Sequence, residues 1–228
     1  MKTMSPASVL IVGRTGRMGK EIELIAAEYG FTVVGGLDRK SGSLAKWLAE
    51  NSKPDVVIDF SLPEATSEVA DACSACGVPL VSGVTGLEAR HLAALEAASK
   101  KIPVLYSANM SVGIQMLVKA LEALKGADEF DLSIEEIHHR HKKDRPSGTA
   151  ILLNAELKRC AGREASEVLS IRGGGVVGTH RVLALSESES LVFEHTALNR
   201  AVFARGACRA ARWVLGRVPG FYSLRDTL

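Results

Sequence analysis

The sequence lacks both a long apolar run and an excess of one charge. Its 228 residues include 28 Lys and Arg against 26 Asp and Glu, which gives a formal net charge of +2. A protein so close to neutral has no general field that would attract nucleic acid or a membrane surface. No apolar stretch approaches the roughly 20 residues that a membrane helix needs, and Met1 to Ser8 lack the apolar segment of a signal peptide. We therefore expect a cytoplasmic protein that binds neither nucleic acid nor membrane.

Cysteine is also scarce, with four in the chain, and the set does not form the disulfide framework typical of small secreted domains. Cys73 and Cys76 make a single C-x-x-C pair, a spacing found in redox and zinc sites. They fall near the end of an alanine-rich predicted helix, and no second pair or nearby histidine completes a zinc set. We interpret them as small hydrophobic residues and expect no metal in this protein.

Short β-rich runs alternate with helical ones over the first half of the chain. Such alternation is typical of βαβ units with a parallel sheet, and the 46% apolar content allows a substantial core. The predicted strands are 9–12, 32–36, 55–60, 79–82 and 103–106, and the predicted helices are 17–29, 64–75 and 88–100.

The pattern changes after about Met110. A helix, a strand over 131–138, a helix over 148–161 and several further strands follow, which predicts a second, α+β domain with a mixed or antiparallel sheet. A last helix over 204–215 and the tail to Leu228 could pack on either domain. The fold class is therefore α/β with an additional α+β domain.

A glycine-rich turn follows the first predicted strand and opens the first predicted helix. Its G-x-x-G-x-x-G pattern allows a tight turn whose backbone approaches a pyrophosphate, which amides at the helix N-terminus would bind. Glycines also serve ordinary turns, but Asp38 lies about 20 residues further on, where an acid that binds the cofactor ribose is expected. The adjacent Arg39 could pair with a 2′-phosphate, so we expect both NADH and NADPH to be used. The turn consists of Gly13, Arg14, Thr15, Gly16, Arg17, Met18 and Gly19.

Two further loops follow predicted strands, at the sheet edge where cofactors bind such folds. Each alone is typical of an ordinary loop of small polar residues, and only their shared position suggests a cofactor contact. They contain Gly83, Val84 and Thr85 in one, and Ser107, Ala108, Asn109 and Met110 in the other.

The stretch Glu136–Thr149, EIHHRHKKDRPSGT, concentrates three of the six histidines and four cationic residues. If the extended form of the preceding strand persists, period-two alternation places His138, Arg140 and Lys142 on one side. Ser147 is a good N-cap for the helix that follows, and amides at its start would face an anion.

Three interpretations of this stretch compete. A metal site is disfavoured because the four cations would repel a metal ion. Nucleic-acid binding is disfavoured because no aromatic residues are interleaved with the charges. A small anionic substrate fits best.

Taken together, these motifs resemble the 4-hydroxy-tetrahydrodipicolinate reductase family, also called dihydrodipicolinate reductases, of lysine biosynthesis. The stretch HHRHKKDRPSGTA is the most specific match, and the matches run from Val9 to Asp226. The others are the glycine turn, Asp59-Phe60-Ser61, Gly83-Val84-Thr85-Gly86, Ala108-Asn109-Met110-Ser111-Val112-Gly113, SIRGGGVVGTH at 170–180 and FARGACRAARWV at 203–214.

The resemblance implies a Rossmann-type dinucleotide domain, 1–110 with 204–228, and a substrate-binding domain, 111–203, through which four subunits associate. It implies that His138 is the acid/base residue and Lys142 the proton donor. The implied ligands of the substrate's carboxylates are His139, Ser147, Gly148 and Thr149. The glycine turn from Gly13 to Met18, Asp38, Arg39 and the two loops above would bind NADH or NADPH.

The chain departs from the family pattern at Thr15 and Val84, and its segment 39–55 is short, so that a strand could be missing there and cofactor selectivity could be weak. Two other functions remain open on the residues alone. One is another nicotinamide enzyme, such as an aspartate dehydrogenase. The other is a non-catalytic protein that senses a dinucleotide, although such a sensor has no need of His138 beside Lys142.

Overall fold

The structure is a computed structural model that describes residues 6–228. The prediction of no signal peptide falls largely on residues outside this range. The chain divides into two compact units: one runs to Met110 and resumes from Phe203 to Leu228, and the other is Ser111–Val202. No helix among the described residues is both long and apolar enough to cross a lipid bilayer.

Residues 6–228 contain ten strands and seven α-helices. In chain order they are β1 Ala7–Val12, α1 Arg17–Ile25, β2 Phe31–Leu37, α2 Leu44–Glu50, β3 Val56–Asp59, α3 Pro63–Cys76, β4 Leu80–Ser82, α4 Ala89–Ser99, β5 Pro103–Tyr106, α5 Val112–Ala120, β6 Asp131–His138, α6 Gly148–Ala161, β7 Glu167–Arg172, β8 Gly178–Leu185, β9 Ser190–Ala197, α7 Ala201–Val214 and β10 Gly220–Tyr222. Short 3₁₀ turns follow α1, α5 and β10.

The first unit contains a six-stranded parallel sheet in the order β10-β5-β4-β3-β1-β2. Its central strands are continuous apolar runs with no exposed surface, such as Val9–Ile11 and Val56–Ile58. Such runs are typical of parallel strands that are covered on both faces. Cys73 is fully buried in this core, where burial raises the pKa of its thiol. The predicted Rossmann-type sheet is confirmed.

The structure differs from the predicted elements of this unit in two places. The short segment 39–55 contains α2, whose N-cap Ser43 accepts a hydrogen bond from the Lys46 amide, and whose Trp47 packs against Gly35. The chain's end forms α7 and then β10, which pairs in parallel with β5. Three residues are too short a run to show a sequence period, so β10 was not predicted.

The second unit contains a mixed sheet in the order β7-β6-β8-β9, in which β6 and β7 are parallel and the other pairs antiparallel. The predicted mixed sheet is confirmed. In β6 every second residue is buried, beginning with Leu132 and Ile134, which pack against α6. The same face continues with two polar residues, Glu136 and His138, and there the core changes into a polar site.

Candidate active site

Glu136 is the centre of a buried polar network at the end of β6. It has no exposed surface, and three donors converge on its Oε1: the amide of Ser147 at 3.1 Å, Oγ of Ser170 at 2.6 Å and Nη2 of Arg172 at 2.7 Å. Its Oε2 lies 2.9 Å from Nδ1 of His138, although the ring is tilted away from a linear hydrogen bond. Strands β6 and β7 and the start of α6 thus meet at one carboxylate.

The Glu136 carboxyl group is ionised despite its burial. Burial alone would raise its pKa, but the hydrogen bonds from Ser147, Ser170 and Arg172 stabilise the anion and lower the pKa to about 2. A buried carboxylate is tolerated only when it is paired and fully hydrogen-bonded, and Arg172 supplies the paired charge.

His138 and His180 are both neutral at neutral pH. Burial lowers the pKa of His138, and the charges of Lys142 and Arg172 lower it further, while Glu136 opposes them. Burial also lowers the pKa of His180, to about 3. The two rings meet edge to face with centroids 5.0 Å apart. Burial is thus a larger cause of the lowered pKa of His138 than the surrounding cations are.

The basic loop after β6 does not continue as a strand, so the predicted alternation beyond His138 is wrong. The chain turns at once: the Lys142 amide donates to the His139 carbonyl, and the Arg140 amide donates to the Gly174 carbonyl. The regular pairing with β7 stops at Arg172, and the hydrogen bonds beyond it, from the Gly173 amide to the His138 carbonyl and from Arg140 to Gly174, do not continue it as a ladder. A turn, and not strand alternation, determines where Lys142 lies.

Lys142 is paired within the loop, with Nζ 2.8 Å from Oδ2 of Asp144. Burial would raise the pKa of Asp144, but the hydrogen bond from Lys142 lowers it overall. The loop itself therefore supplies the counter-ion of Lys142. The Lys142 side chain is 23% exposed, and a largely enclosed side chain suits a proton donor better than a fully solvated one does.

The start of α6 is tied to the same network. Oγ of Ser147 accepts from the Ala150 amide, as predicted for an N-cap, and lies 3.2 Å from Nε2 of His180. The exposed first residue Gly148 and the half-buried Thr149 begin a 14-residue helix whose terminal amides and dipole favour an anion. The second unit thus brings His138, Lys142, His139, Ser147, Gly148 and Thr149 to the region between β6 and α6.

The glycine turn of the first unit is as tight as its sequence predicts. Gly13 has a φ of 84°, and a Cβ there would lie 2.6 Å from the Phe60 carbonyl oxygen. A Cβ on Gly19 would lie 2.3 Å from the Gly13 oxygen, and Gly16 is the N-cap of α1. Only glycine allows this close approach of backbone, and the tight turn leads directly into the N-terminus of α1, where amides could bind a pyrophosphate. Arg14, Thr15, Arg17 and Met18 complete the turn.

Asp38 follows the end of β2, and its Oδ1 accepts a hydrogen bond of 2.8 Å from the Lys40 amide. That bond is the main cause of the lowered pKa of Asp38. Arg39 is exposed beside it. Arg14 lies over Gly36 and bonds Glu23, with Nε 2.9 Å from Oε2.

The two remaining predicted cofactor loops follow β4 and β5. A Cβ on Gly83 would lie within 2.2 Å of the Phe60 ring, so this glycine is required for packing. Oγ of Ser107 donates to the Asn109 carbonyl at 2.7 Å, which closes the second loop. Because β1, β2, β4 and β5 are parallel, the loops after them lie along one sheet edge. Val84, Thr85, Ala108 and Met110 complete this set.

Among residues 6–228 one cluster has the spacing of a metal site: atoms of Glu136, His138 and His180 lie within 4.8 Å of one another. The sequence interpretation missed this cluster. Arg172 already neutralises Glu136, and a second cation there would meet the charges of Arg172 and Lys142. That the protein binds no metal stays a prediction. It now rests on the repulsion that Arg172 and Lys142 would exert on a metal cation at this cluster.

Sequence reasoning missed Glu136, Ser170, Arg172 and His180. Glu136 could have been found, because it precedes His138 by two residues and therefore shares its strand face. Arg172 and His180 reach the site only through the register of β7 and β8, for which the sequence carries no local signal.

Comparisons with known proteins cover the whole described chain. Family models described as dihydrodipicolinate reductase, N-terminus and C-terminus, match residues 7–110 and 111–228. The 4-hydroxy-tetrahydrodipicolinate reductase of Bdellovibrio bacteriovorus is 44% identical over 227 residues, which are 99% of this chain and 97% of the relative. The 4-hydroxy-tetrahydrodipicolinate reductase of Thiobacillus denitrificans is 38% identical, and the match covers 96% of this chain and 97% of the relative.

A solved structure, dipicolinate-bound dihydrodipicolinate reductase from Paenisporosarcina sp. TG-14, shares the fold with a TM-score of 0.82. Its sequence is 22% identical, and the match covers 98% of this chain and 100% of that one. The junction of the two family models at residues 110 and 111 coincides with the junction of the two structural units. The chain belongs to the dihydrodipicolinate reductase family.

Proposed function

We infer that the protein is a 4-hydroxy-tetrahydrodipicolinate reductase, an NAD(P)H-dependent oxidoreductase of lysine and diaminopimelate biosynthesis. The observation that carries this conclusion is the 44% identity, over nearly the full length of both chains, to a relative of that name. A buried polar site at the start of α6 supports it, because a reductase must protonate its product and a passive binding protein has no such need.

The first unit is the dinucleotide-binding domain. The glycine turn and the start of α1 would hold the pyrophosphate, and Asp38 would accept hydrogen bonds from the adenosine ribose. Arg39 would donate hydrogen bonds to the 2′-phosphate of NADPH. The loops after β4 and β5 line the nicotinamide half. When bound, the reduced nicotinamide supplies a hydride to the substrate ring.

The second unit binds the dicarboxylate substrate. The start of α6 at Gly148 and Thr149 offers the backbone amides and the dipole of a helix N-terminus to one carboxylate, and His139 and Ser147 complete the contact. Arg140 and Lys143 are exposed cations that raise the local concentration of a dianion. Asp144 holds the Lys142 ammonium inside the loop, so that a bound substrate meets it without a large rearrangement.

Lys142 is the proton donor and His138 is the acid/base residue that relays the proton. Hydride addition leaves a carbanion or enamine centre on the ring, which must take a proton. A lysine ammonium carries that proton at neutral pH. His138 stays neutral because of its burial and the two nearby cations, so it can take up a proton and pass it on.

A coupled assay tests the function directly. Pyruvate and aspartate semialdehyde, condensed by the preceding synthase of the pathway, supply the substrate, and nicotinamide oxidation is followed at 340 nm, the absorbance band of the reduced cofactor. We expect turnover that requires the synthase. No oxidation beyond the synthase-free control would instead favour the two alternatives, an aspartate dehydrogenase or a dinucleotide sensor.

Cofactor choice is expected to be relaxed, with kcat/KM for NADH and NADPH within about two orders of magnitude, each tenfold step being about 1.4 kcal/mol. Replacing Arg39 with alanine should lower kcat/KM for NADPH by roughly tenfold or more and leave that for NADH within about twofold, because only NADPH carries the 2′-phosphate. Steady-state kinetics with both cofactors measure this. Equal losses would refute the phosphate role of Arg39.

The second unit is also the site of subunit association, and we expect a homotetramer. The sheet face opposite α6 exposes Leu169, Ile171 and Val192 by 43 to 56%. Exposed apolar side chains on one sheet face favour association, which would bury them. Light scattering should give about four times the 24.3 kDa chain mass. A monomer at micromolar concentration would contradict the tetramer.

The cytoplasmic location expected from the sequence stays a prediction.

A further inference from the structure

We propose that Glu136 is a positioning residue of the reaction: it fixes His138 as the tautomer protonated on Nδ1 and, through the Ser147 amide, holds the substrate-binding start of α6 in register with that ring. This proposal rests on the proposed function for its kinetic consequences, but its structural part concerns the free protein alone.

The geometry around Oε2 favours one tautomer of His138. An anionic oxygen 2.9 Å from Nδ1 repels a lone pair and stabilises a proton on that nitrogen, even though the N–H is tilted from the ideal direction. The proton of the neutral ring is therefore on Nδ1, and the lone pair is on Nε2. Nε2 lies at the opposite side of the ring, where a Cβ on Gly178 would come within 3.0 Å. Glycine at 178 thus leaves the lone-pair side of the ring open.

The other oxygen of Glu136 holds the helix start. The Ser147 amide is a donor at the beginning of α6 that lacks an intrahelical partner, and Oε1 accepts from it. The helix therefore begins at a fixed height relative to β6, and Gly148 and Thr149 are held next to His138 by a single carboxylate. A shift of either element would break a buried hydrogen bond to a charged group.

Arg172 and Ser170 fix Glu136 itself. Both donate to Oε1, and Arg172 is 3% exposed, so the carboxylate has one preferred rotamer with Oε2 directed at the ring. Such a buried ion pair fixes geometry even when it adds little net stability.

The decisive variant is Glu136→Gln, which keeps the shape and removes the charge. Three donors converge on the position of Oε1, so the amide oxygen will take that place and its NH₂ will face Nδ1 of His138. The ring must then offer its lone pair at Nδ1 and carry its proton on Nε2. We expect kcat to fall by about 10- to 30-fold, the KM of the dicarboxylate to change less than threefold, and the NADH dissociation constant to stay the same.

The pH profile gives a readout that a purely structural role would not change. Five groups face His138: Glu136 from β6, Arg172 from β7, His180 from β8, and Lys142 and Asp144 from the loop. Glu136 is the closest anion and raises the pKa of the ring, so its loss lowers that pKa. The acid limb of kcat should move to lower pH in Glu136→Gln.

The tautomer is measured directly by ¹⁵N NMR of the histidine ring nitrogens in the free protein, with the His138 signals assigned by their loss in His138→Gln. Wild type should show a proton on Nδ1, and Glu136→Gln should show it on Nε2. Glu122→Gln is the matched control, because Glu122 also bonds an arginine in this unit, Arg159, but at the surface. It should leave tautomer, kcat and pH profile unchanged.

Two results would overturn the proposal: wild-type His138 protonated on Nε2, or a Glu136→Gln variant with wild-type kcat and acid limb. The wild-type spectrum decides the structural part even if Glu136→Gln does not fold. If wild type fails to turn over the substrate while the spectrum shows Nδ1–H, the proposed function is wrong and the positioning of His138 still holds.

Discussion

Replacing Lys142 with alanine is expected to lower kcat by roughly 100-fold or more, the usual scale for a positioned acid or base. The variant removes a largely buried side chain whose ammonium lies 2.8 Å from the Asp144 carboxylate, and the other lysine of the basic loop, Lys143, is exposed. His138→Gln should have an effect of the same size, because glutamine can neither take up nor release a proton. Steady-state turnover of the lysine-pathway substrate measures both.

Both variants should keep the NADH dissociation constant of the wild type, because every predicted cofactor residue belongs to the other unit. Lys158→Ala is the matched control: that lysine lies on α6, is two-thirds exposed and pairs with Glu164, and its loss should leave kcat unchanged. Near-normal turnover in both Lys142→Ala and His138→Gln would show that this stretch is not the catalytic centre.

Replacing Gly206 with alanine is expected to destabilise the first unit by about 3 kcal/mol. Gly206 lies in α7, and a Cβ there would be 1.7 Å from the Met110 carbonyl oxygen. The obstacle is backbone, so no side-chain rotation can relieve it. Either α7 shifts, which would disturb the packing of its buried alanines, or the loop that ends at Met110 is displaced. A thermal melt should show the midpoint lowered by roughly 10 °C.

Gly175→Ala provides the comparison, because no described heavy atom lies within 4 Å of a Cβ at that position. Its midpoint should stay within about 2 °C of wild type, as is usual for surface substitutions. A Gly206→Ala protein with an unchanged midpoint would mean that the close approach of α7 to Met110 is absent in solution.

The sequence could predict the elements that have local signals. Strand β6 was predicted with its observed limits, and apolar and polar residues alternate over its first part, from Asp131 to Glu135. Helix α6 was predicted from Ser147 and the helix-forming residues after it, and the glycine turn from its spacing after a strand. In each case the residues that determine the element are neighbours in the chain.

What the sequence could not predict depends on residues that are far apart in the chain. Arg172 reaches Glu136 only because β7 pairs with β6 in one particular register, and His180 does so through β8. A slip of one residue would move either side chain to the opposite face. The turn after His138 was missed as well: the Lys142 amide bonds the His139 carbonyl, and the regular pairing of β6 with β7 stops at Arg172.

The return of the chain's end to the first unit has a consequence for synthesis on the ribosome. Strand β10 pairs with β5, yet the whole second unit, Ser111–Val202, lies between them in the chain. At about 5–20 residues per second, translation leaves the β5 edge without its partner for several seconds. An unpaired parallel edge is a template for association with other chains. The first unit therefore begins to be synthesised first, but its sheet is complete only after α7 and β10 have been translated.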